Sequence, residues 1–390
     1  MNVVVSAARR TPIGAFFGQF ADTPVSMLGA AAIQAILGDS GLASDDIDEV
    51  IMGCVLSAAV GQAPARQAAL AAGLPVSVPC TTLDKVCGSG MRSVMMAHDM
   101  IRAGSANVVV AGGMESMSNA PYLLPKARRG LRFGHTSLLD HMLFDGLQNA
   151  RDGEAMGHFG QICADDHGFT RQALDAYATE SVQRARHAIE HGSFADELCA
   201  VEVRKRDNII PVSQDEEPFR CDIERIPTLK PAFRSDGTVT AASSASLADG
   251  AAALLLMDPQ LAQQRNCPVL ASIVAQVTHA QAPETFTTAP IGALEKLFAR
   301  SGWQPDEVDL YEINEAFAPV VMAAMQAHGL DHARVNVHGG ACALGHPIGA
   351  SGARILVTLI HALRKRGKRR GVAVLCIGGG EATAMAVQCH

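Results

Sequence analysis

Aromatic residues are scarce in this chain: one Trp, three Tyr and 13 Phe among 390 residues. A core of that size must then be filled mainly by Ala, Val, Leu and Ile, which suits helices packed closely on sheets. No apolar run approaches the ~20 residues of a membrane-spanning helix. The net charge of −7 argues against general nucleic-acid binding. Charged residues make up only 18% of the chain and hydrophobic ones 48%, which excludes a disordered polymer. The ten cysteines include no C-x-x-C pair, so neither a metal knuckle nor a disulfide framework is expected. No charged or apolar leader precedes the strand-like Asn2-Val3-Val4-Val5-Ser6-Ala7, and a reducing cytoplasm is the expected location. Dinucleotide and P-loop fingerprints are missing too. Gly88-Ser89-Gly90 lacks the third glycine, and there is no G-x-S-x-G elbow.

What is present is an alternation of strands and helices, twice over. Val3–Ala7 reads as a strand, Met27–Leu37 as a helix stopped by Gly38, and Asp48–Gly53 as a second strand. Ala106–Ala111 is a continuous apolar run, as a strand buried on both faces would be. It ends on Gly112-Gly113-Met114-Glu115. About 260 residues later the same grammar returns. The stretch Gln304–Glu312 echoes Ser44–Ile51, a loop with His346 opens a Gly/Ala-rich helix, and Gly371–Ile377 ends on Gly378-Gly379-Gly380-Glu381. The reading is α/β: two similar halves, 1–118 (with about 246–265 completing it) and 266–390, as two packed layered sheets with helices outside and between. Residues 119–245 form an excursion richer in charge, His and Pro. It contains one clear helix, Arg171–Glu190, with Thr170 as N-cap. Such an excursion suits the cover of a site at a domain junction.

Four segments carry chemistry-capable residues at strand or loop ends, where sites of α/β sheets gather. The first is Thr81–Met91 around Cys87. A thiol at the start of a helix opening on Gly88-Ser89-Gly90 faces unpaired N–H groups and the positive end of the dipole, which lowers its pKa. A buried structural cysteine is the alternative there. The others are Asn314-Glu315-Ala316-Phe317-Ala318, Gly345–Gly352 with His346, and Cys376-Ile377-Gly378-Gly379-Gly380. Taken alone, Asn314 could be a turn residue, His346 a loop cap and Cys376 core packing.

In this order and spacing the four segments resemble those of the thiolases, most closely the biosynthetic acetyl-CoA acetyltransferase type. AGGMESMSNAPYLLPKAR (111–128), DGTVTA (236–241), NEAFA, GHPIGASGARI and CIGGG carry the likeness over essentially the whole chain. The resemblance implies a layered α/β/α/β/α fold from two similar halves with an inserted loop domain over the CoA site. It implies that Cys87 is the acyl-accepting nucleophile, activated by the helix end and His346, and that Cys376 is the second acid/base. His346 with a water held by Asn314 would stabilise the enolate, and the backbone N–H groups of Cys87 and Gly378 the tetrahedral intermediate. Arg220 would meet the adenosine of CoA, and Ser244, Ala245 and Ser246 its pantetheine arm. The implied reaction is reversible and ping-pong: two acetyl-CoA give acetoacetyl-CoA and CoA through S-acetyl-Cys87. No metal or redox cofactor is required, CoA being substrate and product. Membranes and nucleic acids are not expected partners, and a homo-oligomer is, a tetramer or a dimer.

The chain departs from the thiolase pattern at several places. Asp84 stands for Asn before Lys-x-Cys, His338 for an Asn, Cys342 for an aliphatic residue, and Glu381-Ala382 for Gln-Gly. Ala245 falls where many members have Ser, Ala155 where many have His, and Phe286-Thr287-Thr288-Ala289-Pro290 replaces Met-Gly-x-Gly-Pro. These changes bear on substrate choice more than on reaction class. A degradative 3-ketoacyl-CoA thiolase taking longer chains is the alternative within the family. Decarboxylating condensing enzymes do not need Cys376, and a non-catalytic CoA- or lipid-binding relative would not need to keep both cysteines.

Overall fold

The computed structural model describes residues 3–205 and 208–390. Ten strands form one mixed sheet. Its hydrogen-bonded order is Leu310–Ile313, Arg370–Ile377, Glu381–Cys389, Ala271–Ala280, Val4–Arg10, Ala248–Met257, Val108–Ser116, Glu49–Gly53 and Cys80–Leu83, with the short Gly14–Ala15 beside Ala248–Met257. The internal repeat is visible in that order. The series Glu49–Gly53, Val108–Ser116, Ala248–Met257, Val4–Arg10 matches Leu310–Ile313, Arg370–Ile377, Glu381–Cys389, Ala271–Ala280. The two half-sheets are joined where Val4 and Val5 pair with Ser272 and Ala271, so the expected pair of layered sheets is hydrogen-bonded through one short edge contact.

The layers follow from burial. Val108–Ser116 and Ala248–Met257 are buried along their whole lengths, as strands covered on both faces must be. Between the half-sheets lie two helices, Ser89–Ala103 and Ile348–Lys365. Their apolar residues share one core with strands of both halves. They cross closely: a Cβ on Gly352 would lie 2.4 Å from the backbone nitrogen of Met91, and one on Gly90 2.8 Å from that of Ala353. Helices Val25–Ser40 and Pro64–Ala71 cover the outer face of the N-terminal half. Ala289–Ser301 and Ala318–His328 cover that of the C-terminal half.

Several element boundaries differ from the sequence reading, two of them at glycines. The first helix runs through Gly38 to Ser40, and Gly41, at φ +69°, ends it, because an exposed glycine within a helix costs only about 1 kcal/mol whereas a left-handed C-cap favours one. The apolar strand likewise does not stop at Gly112 but continues to Ser116. A Cβ on Gly113 would lie 2.0 Å from the carbonyl oxygen of Gly349; the absent side chain makes room for the loop that carries His346. In the excursion the helix spans Arg171–Glu190 as read, and the Thr170 hydroxyl accepts the Ala173 N–H at 3.2 Å. Among the described residues, no helix is long and apolar enough to cross a membrane.

Candidate active site

Cys87 ends a loop delivered by the edge strand Cys80–Leu83. Val86 beside it has φ +47°, a region costly for a β-branched residue. Local hydrogen bonds hold it there. The Val86 N–H donates to Asp84 Oδ1 at 2.8 Å, the Lys85 N–H to Ser89 Oγ at 2.8 Å, and the Ser89 hydroxyl to the Val86 carbonyl at 2.7 Å. Gly88 faces the other half of the molecule. A Cβ there would lie 2.3 Å from Ile377 Cδ1, so the two halves touch directly beside the thiol.

Cys376 lies near the end of the strand Arg370–Ile377, opposite Ala382. The turn that follows, Gly378-Gly379-Gly380, brings the Gly378 N–H close to the Cys87 thiol, where it and the N–H of Cys87 both favour the thiolate.

His346 is buried on the loop before the helix Ile348–Lys365, and its N–H donates to the Ser246 carbonyl at 2.9 Å. Ser351, one turn into that helix, sets the ring. Its hydroxyl donates to the Pro347 carbonyl at 3.0 Å, so its oxygen accepts from His346 Nδ1 at 2.5 Å. That assigns the proton to Nδ1 and leaves Nε2 as an acceptor. The Asn314 amide lies 3.5 Å from Nε2. Asn314 Oδ1 is buried and has no protein partner. Asn314 is placed by its neighbour Glu315, a buried carboxylate. Glu315 accepts from Tyr177 Oη at 2.9 Å, Ser181 Oγ at 2.8 Å, Asn336 Nδ2 at 2.9 Å and the Cys342 N–H at 3.0 Å. The excursion helix and the 336–342 loop are thereby tied to the strand end that presents Asn314.

The electrostatics reverse one expectation. Burial pushes the Cys87 thiol up to about 11, assisted by Glu115 and Asp84 and opposed by the two N–H donors. Burial also drives His346 down to about 3, with Arg354 acting in the same direction. The helix start does not preform a thiolate, because desolvation outweighs a dipole effect worth 0.3–1 kcal/mol at an exposed end. The resting pair is neutral thiol and neutral imidazole. Cys376 is held well above the usual thiol range by burial and then by Cys87.

Cys87, His346 and Gly378 line one cavity of about 60 Å³ with Met117, Met156 and Phe286, and Ala245 and Ser246 lie on the same wall. Of the sequence candidates, Asn314, Cys376, Ser244 and Arg220 are not part of its lining. The Ser244 hydroxyl donates to the Thr240 carbonyl at 2.8 Å, and Arg220 is half exposed and pairs with Glu216 at 3.3 Å. Two other candidates have local partners: Asp84 binds its own loop, and His338 packs edge-on against Phe194. Sequence reasoning gave no role to Ser351, Glu315 or Glu115. Glu115 accepts the N–H groups of Val55 and Leu56 at 3.1 Å and of Gly349 at 2.8 Å. An acidic residue within an otherwise small, apolar motif was the available signal for both glutamates. Among the described residues no three His, Cys, Asp or Glu side chains stand together as metal ligands would.

Two repeated α/β halves, each bringing a cysteine and one of them a histidine and an asparagine to a shared junction, define a thiolase. Residues 3–260 match the thiolase N-terminal domain and residues 267–389 the thiolase C-terminal domain; the chain belongs to the thiolase family. It is 47% identical over 386 residues to an acetyl-CoA acetyltransferase of Pseudomonas aeruginosa, covering 98% of each chain. It is 44% identical to one of Schizosaccharomyces pombe, covering 99% of this chain and 98% of that one. The crystal structure of the Bacillus anthracis acetyl-CoA acetyltransferase superposes with a TM-score of 0.97 at 37% identity, over 100% of this chain and 99% of that one.

Proposed function

We propose that the protein is an acetyl-CoA C-acetyltransferase, catalysing the reversible condensation of two acetyl-CoA to acetoacetyl-CoA and CoA. The observation that carries this reading is the small cavity in which the Cys87 thiol lies close to the N–H groups of Cys87 and Gly378 beside a neutral, oriented His346. His346 Nε2 takes the thiol proton as Cys87 Sγ attacks the acetyl carbonyl. The oxyanion forms against the N–H groups of Cys87 and Gly378. CoA leaves, taking its proton from the Cys376 thiol, so His346 keeps the Cys87 proton on Nε2 and S-acetyl-Cys87 remains. A second acetyl-CoA then gives up a C2 proton to the Cys376 thiolate so formed. Its enolate oxygen accepts from the protonated His346 Nε2 and from a water that the free Asn314 Oδ1 is suited to hold. The enolate carbon attacks the acetyl carbon, acetoacetyl-CoA departs, and the proton held by His346 restores the Cys87 thiol. No metal or redox cofactor takes part. Ala245 and Ser246 contact the pantetheine arm. Arg220, near the excursion's outer surface, contacts the adenosine end. The protein works in the cytoplasm as a homo-oligomer, a tetramer or a dimer.

The test is thiolysis by the purified protein with free CoA, comparing acetoacetyl-CoA with a six- to ten-carbon 3-ketoacyl-CoA. Preference for acetoacetyl-CoA that disappears in Cys87→Ala is expected. Preference for the longer chain would move the protein to the degradative branch, and turnover by Cys87→Ala would discard the nucleophile assignment.

A further inference from the structure

The Cys87 loop and the Gly378 turn come from opposite halves of the chain, yet the proposed chemistry needs the Gly378 N–H fixed against the Cys87 sulfur. Three observations bear on what fixes it. Apolar contact is made where Gly88 meets Ile377 and where Val86 Cγ1 lies 3.7 Å from the point a Gly378 Cβ would occupy. The loop is strained at Val86 and the turn is built of glycines, with Gly379 at φ +95° and Gly380 at φ +91°. Neither segment is therefore stiffened by its own backbone preference. Lys85 and Glu381 make an ion pair across the gap, the ammonium of one meeting the carboxylate of the other. They are separated by 296 residues in sequence. Lys85 lies two residues before Cys87, and Glu381 directly follows the glycine turn.

We infer that Glu381 is a positioning residue: its ion pair with Lys85 is a latch that clamps the nucleophile loop of one half to the oxyanion-donor turn of the other. The latch touches neither substrate nor reacting atoms. It acts on the distance between a donor and the site of developing charge, where small displacements are expensive. Its loss therefore lowers kcat and leaves KM nearly unchanged. Both side chains are partly exposed, at 22% and 34%, so the effect has the scale of a screened pair, a factor of about two to five in rate. Added salt weakens it further.

The inference rests on the thiolase reading, and the experiment separates the two. Thiolysis of acetoacetyl-CoA is measured for the wild type, Glu381→Gln, Lys85→Met, the double variant, and the charge-exchanged Lys85→Glu/Glu381→Lys protein. Hydrogen exchange of the peptide covering residues 376–381 is followed in parallel. Each single substitution should lower kcat about two- to fivefold with KM changed less than twofold, and quicken amide exchange in that peptide. The double variant should be no worse than the poorer single one, and the exchanged pair should recover at least half the loss. A loss carried by KM, additive single effects, or no change in kcat and exchange would overturn the latch. A wild type with no turnover would sink the thiolase reading instead. Exchange in the 376–381 peptide then decides the latch alone, with no quickening in Glu381→Gln overturning it.

Discussion

The protonation state of Cys87 offers the sharpest test of the physical argument. With its thiol pushed up to about 11, only about one molecule in 10⁴ carries the thiolate at pH 7, against a few per cent for an unperturbed thiol near 8.5. Alkylation by iodoacetamide, which consumes the thiolate, should be slower than for a free thiol by roughly two orders of magnitude at pH 7. It should rise about tenfold per pH unit through pH 9 without levelling. The perturbation that isolates the cause is Asp84→Asn, which removes one of the two carboxylates that push the thiol up. The neutral amide is the residue the thiolase pattern has there, and the curve should move to lower pH with its slope unchanged. The assay is mass spectrometry of the Cys87 peptide after timed exposure, with Cys87→Ala as the blank for the other nine thiols. A rate already flat between pH 7 and 9 would refute the reasoning, since it would mean that the helix start and the two N–H donors overcome burial and store a thiolate.

Three further outcomes follow from the same geometry. Ser351→Ala removes the oxygen that fixes the His346 tautomer; kcat should fall at least tenfold with little change in KM, and kinetics matching the wild type would reject the assignment of the proton to Nδ1. Gly380→Ala puts a Cβ 2.4 Å from the Gln281 carbonyl oxygen at φ +91°, so the turn must shift; denaturant unfolding should show a loss of about 2 kcal/mol or more, and an unchanged midpoint would contradict the turn's geometry. Ala245→Ser returns a hydroxyl to the cavity wall and should lower the KM for acetyl-CoA, whereas an unchanged KM would remove Ala245 from the pantetheine contact.

Much of this protein is written in local pattern. Thr170 before an amphipathic run was enough to place the helix Arg171–Glu190, because an N-cap hydroxyl and a helical period are properties of adjacent residues. The continuous apolar strands, the second copy of the half-domain, and the placement of Cys87, Asn314, His346 and Cys376 at or near element ends were legible for the same reason. Other features depend on residues distant in sequence. Glu115 lies inside a strand and holds the His346 loop through the Gly349 N–H, and Glu315 orients Asn314 through Tyr177, Ser181 and residues of the 336–342 loop. Their partners lie tens to hundreds of residues away. The charge state of the nucleophile depends likewise on the whole fold. A helix start argues for a thiolate while it is seen alone, but two halves closing over Cys87 remove the water that would stabilise the charge, and that desolvation is a property only the assembled layers possess. The sequence by itself determined which atoms could do chemistry; the tertiary structure decided which of them meet, which stay neutral, and which pair of distant charges spans the junction where they act.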